Sequence, residues 1–336
     1  MPIAEADWVR AVAVLSGARQ VAMACHVDPD GDALGSMLAF QRFLVSRGVD
    51  VVAGWGDDAP LAVPPQYTFL PGLEDLTTPS DFPAMPEVFM AFDCGSPDRL
   101  GSLRTVAENA RTVVVVDHHA SGSPFGDVLL LDGQAAATAV LVEELVVRMG
   151  GTLDRDMAIC LYVALVTDTG RFQYACTTPA VMEMGARLIA HDIDHARINR
   201  QVWETHSFGY LKVLGRALER AALVPHAGLA WTAVTQQDVA DTGISLAETE
   251  GLIDILRAVE AAECTCVAKE QPGGSWKVSL RSKGGVDVGR LAGRLGGGGH
   301  AYAGGFTMLG ALEEVVGCVV ALLTGQEAPV PTAQAI

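Results

Sequence analysis

Three apolar runs in the first third of the chain end in the same way. VAMAC (21–25) stops at His26, VFMAF (88–92) stops at Asp93, and TVVVV (112–116) stops at Asp117-His118-His119. Short aliphatic runs set between helical stretches predict strands of a parallel sheet. Apolar positions recur at helical spacing in ALGSMLAFQRFLVSRG (33–48), AATAVLVEELVVRMG (136–150) and RDMAICLYVALVTDTG (155–170), the last running into Asp168. This alternation predicts βαβ units over roughly the first 185 residues. Ligands of an open parallel sheet bind beyond the carboxyl ends of its strands. The pattern therefore delivers His and Asp side chains to one rim of one sheet.

From about residue 190 to 222 the pattern changes to polar-studded helix without strands, which predicts a helical connector. Beyond it, strands are expected near 228–235, 262–270 and 276–282, with helices around 246–259, 286–295 and 311–324. A glycine cluster, Gly296 to Gly299, precedes His300 and a further short strand. The tail GQEAPVPTAQAI has two prolines and no apolar period, which predicts disorder. The expected organisation is an α/β domain at 1–188, a helical linker at 189–222, a smaller α/β domain at 223–325 and a tail at 326–336.

Composition supports this picture and narrows the partners. The 336 residues are half hydrophobic but only 6% aromatic, which suits buried aliphatic strands in two domains. Mean hydropathy is +0.29, yet no apolar run approaches the roughly 20 residues that span a bilayer. The start, MPIAEADWVR, lacks the order of a signal peptide. A cytoplasmic protein without a membrane partner is expected. Seven cysteines make an odd count with no C-x-x-C, and Cys264 and Cys266 on a strand would share a face. Buried free thiols are the expectation. The formal net charge of -17 and the absence of a basic run argue against a long duplex nucleic acid, which needs a basic face. A nucleotide ligand would bring few phosphates, met by cations and a few local Arg residues.

His26-Val-Asp28-Pro-Asp30-Gly-Asp32 is the first candidate site. A calcium loop of the EF-hand type needs Gly after the third acid and Glu at its twelfth position, and Ala33 and Ala39 stand there. A phosphatase with an aspartyl nucleophile also places Asp-x-Asp after a strand, but leaves the other acidic strand ends without a purpose. Metal chelation accounts for them together. Carboxylates and imidazoles suit Mn²⁺, or less tightly Mg²⁺, and the lack of thiolates argues against structural zinc. Asp117-His118-His119 stands where an apolar strand gives way to the rim. Asp93 and Asp168, each ordinary as a cap or turn former, occupy comparable chain positions.

The order HVDPDGDALGS, FDCGSPDRLG, VVDHHA and VTDTGRF resembles the four motifs of the DHH phosphoesterases, and GGGGHAYAGG resembles the signature of the DHHA1 domain. The resemblance spans about residues 10 to 325. It implies an N-terminal DHH domain with a mainly parallel sheet flanked by helices, a helical connector, and a smaller C-terminal α/β DHHA1 domain. Within the superfamily the likeness runs to bacterial oligoribonucleases that also act as pAp phosphatases, or as cyclic-di-AMP and pApA phosphodiesterases. By that likeness two Mn²⁺ ions are implied, with Mg²⁺ or Co²⁺ as substitutes. His26 and Asp30 would hold one ion, Asp32, His118 and Asp168 the other, and Asp93 would bridge them. Asp28 would be no ligand, Asp117 would orient the histidines, and His119 would face the substrate phosphate. Homodimers are common among such relatives, and a homodimer is expected.

The implied reaction is in-line attack of a water on phosphorus, activated between two cations about 3.5–4 Å apart. His119 and Arg99 are the candidates to neutralise the non-bridging oxygens, with Arg171 behind them. In the second domain, Gly297, Gly298 and Gly299 could bring backbone N–H groups to a phosphate beside His300. This is no P-loop, because no Lys-Ser/Thr follows. Arg281 and Ser282 end a strand whose polar face carries Lys277, Ser279 and Arg281, and the resembling family uses its Arg-Ser pair to grip the nucleotide. Ala303-Gly304-Gly305 stands where that family usually reads Ala-Ala-Gly, and the lost methyl should loosen packing slightly. A pocket of limited length between the domains would favour short RNA, pAp, pApA or cyclic-di-AMP. Pyrophosphate and single-stranded DNA are rival substrates within the fold. A non-catalytic nucleotide sensor is the rival outside it, disfavoured because all six ligand positions carry Asp or His.

Overall fold

The computed structural model describes residues 3–57, 61–119, 123–299 and 301–326. The chain divides into two compact units, Met1–Glu204 and Thr205–Ile336. His300 and the tail from residue 327, both singled out by the sequence, lie outside the described residues.

The first unit contains α1 (Glu5–Gly17), β1 (Gln20–Cys25), α2 (Gly31–Ser46), β2 (Asp50–Trp55), β3 (Val88–Phe92), α3 (Arg104–Glu108), β4 (Thr112–Asp117), β5 (Val128–Leu131), α4 (Thr138–Arg148), α5 (Arg155–Asp168), α6 (Pro179–Ile189) and α7 (His195–Trp203). Its five strands are all parallel, in the order β2-β1-β3-β4-β5. Successive residues of each strand face opposite sides. Met23, Met90, Phe92, Val114 and Val116 pack against α1, α2, α4 and α5. Ala22, Ala24, Phe89, Ala91 and Val115 pack against Leu100, Leu103 and Ala107. Burial on both faces explains why β1, β3 and β4 read as unbroken apolar runs. The sequence reading contained neither β2 nor β5, which lie at the two edges of the sheet.

The second unit contains α8 (Phe208–Arg220), β6 (Ala222–Val224), β7 (Leu229–Val234), α9 (Gln236–Thr242), α10 (Leu252–Arg257), β8 (Cys264–Glu270), β9 (Ser275–Ser282), α11 (Val288–Arg294), β10 (Gly298–Gly299), β11 (Ala303–Leu309) and α12 (Leu312–Leu323). The sheet runs β10-β11-β9-β8-β7-β6, antiparallel except for the parallel pair β7 and β8. One face packs on α11 and α12. The β7–β8 part of the other packs on α8 and α10.

The helical stretch over about 190–222 holds two helices, each with its own cap, and two other expectations need revision. Asp194 accepts from Arg197 N at the start of α7, and Ser207 accepts from Tyr210 N at the start of α8. The helix expected over 246–259 is a 3-10 turn, Leu246–Thr249, followed by the shorter α10, with Gly251 between them. The methyl missing at Gly304 leaves no slack either. A Cβ there would sit 2.6 Å from the Val288 carbonyl oxygen and 3.2 Å from Ala292 Cβ. Helix α11 has closed onto the strand, and the glycine is needed for that approach.

All seven cysteines are free thiols, buried except for half-buried Cys176. No helix among the described residues is long and apolar enough to cross a membrane.

Candidate metal centre

The rim at the carboxyl ends of β1, β3 and β4 carries the acidic and imidazole groups. His26 follows β1, Asp93 follows β3, and Asp117 closes β4 ahead of His118 and His119. Two helices contribute from the other side. Asp30 is the N-cap of α2, its carboxylate accepting from Asp32 N at 3.1 Å and Ala33 N at 3.0 Å. Asp32, fully buried on the first turn, accepts from Ser36 Oγ at 2.9 Å and from the backbone N–H groups of Thr138 at 2.6 Å and Ala139 at 3.1 Å. It thus closes the N-terminus of α4, where the helix dipole favours a negative charge. Asp168 is the last residue of α5.

These groups converge as three overlapping sets whose ligand atoms lie within 4.8 Å of one another: His26, Asp30 and Asp93; Asp32, His118 and Asp168; and Asp93, His118 and His119. His26 Nε2 is 3.8 Å from Asp30 Oδ2 and 3.7 Å from Asp93 Oδ2. His118 Nε2 is 3.6 Å from Asp32 Oδ2, 3.5 Å from Asp93 Oδ1 and 2.9 Å from Asp168 Oδ2. Asp93 turns one oxygen to each histidine. It does so from a left-handed backbone conformation, φ 55°, a region that a non-glycine residue enters at a cost of ~1–2 kcal/mol. Asp28 stands outside all three sets.

The imidazoles are oriented by different partners. His118 Nδ1 is 3.0 Å from the Ala135 carbonyl oxygen, and His119 Nδ1 is 2.5 Å from Asp117 Oδ1. The carboxylate that the sequence reading assigned to both histidines therefore bonds His119, while a backbone carbonyl orients His118. His26 Nδ1 lies 2.7 Å from the Val27 carbonyl oxygen and 2.8 Å from Arg99 Nη2. Arg99 thus reaches the rim through His26.

Charge at this rim is crowded. Burial, and then Asp93 and Asp168, push the Asp32 carboxyl well up. Burial, with Asp30 and Asp168 adding to it, pushes Asp93 up to about 6 against the opposing pull of His119 and His118. Burial works against the charge on His118, but Asp168, Asp93 and Asp32 outweigh it and raise its pKa well above the ordinary value. His119 is raised by Asp117 and Asp93 against the same burial cost. Desolvation opposes the charge on Asp117 too, and its bond to His119 holds it low. Asp30 is likewise held low by His26 against desolvation.

The donor set fits divalent cations. Neighbouring ligands of one such ion, at bonds of about 2.1 Å, sit about 3–3.5 Å apart. The spacings here bracket that range, all donors are N or O, and the carboxylates carry repulsion that a cation relieves.

The second unit's candidates are placed by local structure. Ser282 is buried; its Oγ donates to Glu263 Oε1 at 3.2 Å and accepts from Gly284 N at 2.9 Å, shaping the turn after β9. Arg281 Nη1 donates to the Leu280 carbonyl at 3.0 Å, and Arg281 pairs across strands with Ala303. A Cβ at Gly297 would lie 1.9 Å from the Gly305 carbonyl oxygen, and one at Gly299 2.3 Å from that of Ala303. Two of the three glycines are thus required by backbone approach to β11, whereas a Cβ at Gly298 would meet nothing within 4 Å.

Sequence reasoning missed Ser36, Thr138 and the Ala135 carbonyl, which hold Asp32, Asp93 and His118. Ser36 stands four residues after Asp32 on one helix, a legible spacing. Thr138 and Ala135 sit in the run AAAT, which offers no chemical signal. Tyr67, buried in the β2–β3 connection, was also missed; burial and nearby Asp30 raise its hydroxyl pKa.

Comparison with known proteins gives a consistent set of likenesses. The profile of the DHH family N-terminal domain matches residues 20–165, and that of the DHHA1 domain matches residues 232–322. The chain is 31% identical to the bifunctional oligoribonuclease and PAP phosphatase NrnA of Thermus thermophilus, covering 86% of this chain and 84% of that one. It is 25% identical to a probable enzyme of the same description from Streptococcus mutans, covering 83% and 86%. Among solved structures, an exopolyphosphatase-related protein from Bacteroides fragilis aligns with a TM-score of 0.87 at 26% identity, over 96% of each chain.

Proposed function

Because the chain belongs to the DHH family and carries its DHHA1 domain, it is a phosphoesterase, and we propose that it hydrolyses short oligoribonucleotides and small nucleotides in a Mn²⁺-dependent reaction. The observation that carries this reading is the sharing of Asp93 between the His26–Asp30 set and the His118 sets. A carboxylate that offers one oxygen to each side suits a pair of ions rather than one. His26 and Asp30 would hold the first ion, Asp32, His118 and Asp168 the second, with Asp93 between them. When bound, such a pair acidifies water and offsets charge at the phosphoryl oxygens.

The chain's own residues have distinct tasks in this reading. Asp32 is locked by Ser36 and the α4 amides, so Oδ2 keeps its aim toward His118. The Ala135 carbonyl fixes His118 with Nε2 toward the carboxylates, as an outer hydrogen bond does for a ligating imidazole. Asp117 holds His119 at Nδ1 and raises its basicity, which favours a hydrogen bond from the ring to a non-bridging phosphoryl oxygen. Arg99, seated on His26, can add a planar donor pair to the same phosphoryl group. Arg281 and the 297–299 segment, with His300, would receive the nucleotide, and buried Ser282 would support them by holding the turn after β9. The relatives named for oligoribonuclease and PAP phosphatase activity support this substrate class.

The test is a Mn²⁺-supplemented panel of pAp, pApA, cyclic-di-AMP, RNA of two to five nucleotides, a strand of about twenty, pyrophosphate and single-stranded DNA. Hydrolysis should fall steeply with length, leaving the smallest nucleotides preferred. Equal turnover of the dinucleotide and the long strand, or a preference for pyrophosphate, sinks the proposal.

A further inference from the structure

We propose that Thr138 is a positioning residue for Asp93, setting which carboxylate oxygen faces each half of the metal centre; this rests on the reading of that centre given above. Thr138 is fully buried at the first position of α4. Its Oγ1 donates to Asp93 Oδ1 at 2.9 Å, while its backbone N–H donates to Asp32 Oδ2 at 2.6 Å. One residue therefore ties the carboxylate after β3 to the carboxylate at the start of α2.

The way α4 begins shows that this hydroxyl is not serving its own helix. The N-cap position is Ala137, which makes no side-chain cap bond. Threonine is a good N-cap and alanine a poor one, yet the threonine stands one position late. The cap is supplied from elsewhere, by Asp32, which takes the amides of Thr138 and Ala139. That arrangement leaves the Thr138 hydroxyl for Asp93.

Asp93 needs such a partner. Carboxylate torsions are broad and roughly two-fold, and Asp93 has to send Oδ2 toward His26 and Oδ1 toward His118 and His119. The Thr138 side chain is fully enclosed, so the hydroxyl that meets Oδ1 is itself held by its packing. Thr138 thereby stops the carboxylate plane from rotating and keeps it shared.

The experiment titrates Mn²⁺ into the metal-stripped full chain, following stoichiometry and the paramagnetic resonance spectrum of the bound ions. Thr138→Val keeps the volume and both backbone amides and removes only the hydroxyl. It should weaken at least one ion by about 10-fold or more and lose the signature of two coupled ions, while Thr138→Ser restores both. If Thr138→Val does not fold, Thr138→Ala carries the same comparison. Wild-type affinity and an unchanged coupled spectrum in a folded Val or Ala variant overturn the inference, even if that variant melts earlier. A wild-type chain that binds fewer than two ions overturns instead the reading on which it rests.

Discussion

Asp93 concentrates the conflict between stability and chemistry at this rim. It is buried, backbone-strained and crowded by other carboxylates. Asparagine tolerates the left-handed conformation as well as aspartate and keeps an oxygen for Thr138. Asp93→Asn should therefore fold, lose more than about 100-fold in activity, and stabilise the metal-free chain at neutral pH by ~1–3 kcal/mol. Denaturant melts of both proteins after chelation check this, and a less stable variant contradicts it. The pH dependence follows from the same groups. Asp93 keeps its proton up to about 6 in the folded chain against an ordinary 3.8, so across that window the unfolded chain binds fewer protons and stability falls as pH rises. His118 and His119 are raised above 6.5; their stabilisation is complete below that value and is lost as pH climbs through their folded values. Both slopes have one sign, and a cation that replaces the protons cancels them. The rise in Tm on adding Mn²⁺ to stripped protein should be larger near pH 8 than near pH 5; a flat or opposite trend tells against the centre. At this scale the sequence was most legible, because charged residues directly after apolar strands have few structural reasons to be there. Of their hydrogen-bonding partners only Ser36 stood at a legible spacing, because Thr138 and the Ala135 carbonyl lie in a run that gives no chemical signal.

At the scale of elements, α2 and α5 decide whether the ligands meet. Asp30 and Asp32 open one helix and Asp168 closes the other. The two approach so closely at Gly35 that a Cβ there would lie 2.3 Å from the Cys160 carbonyl oxygen. Alanine gains up to ~1 kcal/mol over glycine in a helix. Here the clash is with backbone, which yields only if the helices part, and overpacking costs ~1–3 kcal/mol. Gly35→Ala should be net destabilising in urea and should bind Mn²⁺ more weakly than wild type. A variant of equal or higher stability contradicts the packing argument. The buried strands β1, β3 and β4 and the helices α2, α4 and α5 declared themselves as apolar runs or helical periods. The edge strands β2 and β5 did not: β2 is exposed at its start and β5 is four residues long. Where a helix ends and another begins, as between α7 and α8, the decision belongs to capping side chains that sit inside one continuous polar pattern.

At the scale of the molecule, the charge of -17 sets a long-range repulsion toward polyanions. Repulsion between exposed charges is screened over about 10 Å at 0.1 M salt and about 30 Å at 0.01 M. Local contacts at the phosphate are common to short and long substrates, while the repulsion grows with strand length. The ratio of kcat/KM for a long strand to that for a dinucleotide should therefore rise as salt is added, and a ratio that falls argues for a basic track instead. The sequence by itself determined the class of fold, the acidic character and the residue types of the centre, because these are properties of hydrophobic period, composition and local order along the chain. Tertiary structure alone decided which side chains meet, which oxygen of Asp93 faces which histidine, which partner orients each imidazole and why Gly304 is needed. Those outcomes depend on contacts between segments up to about a hundred residues apart, made by packing and hydrogen bonding that leave no periodic trace in either segment.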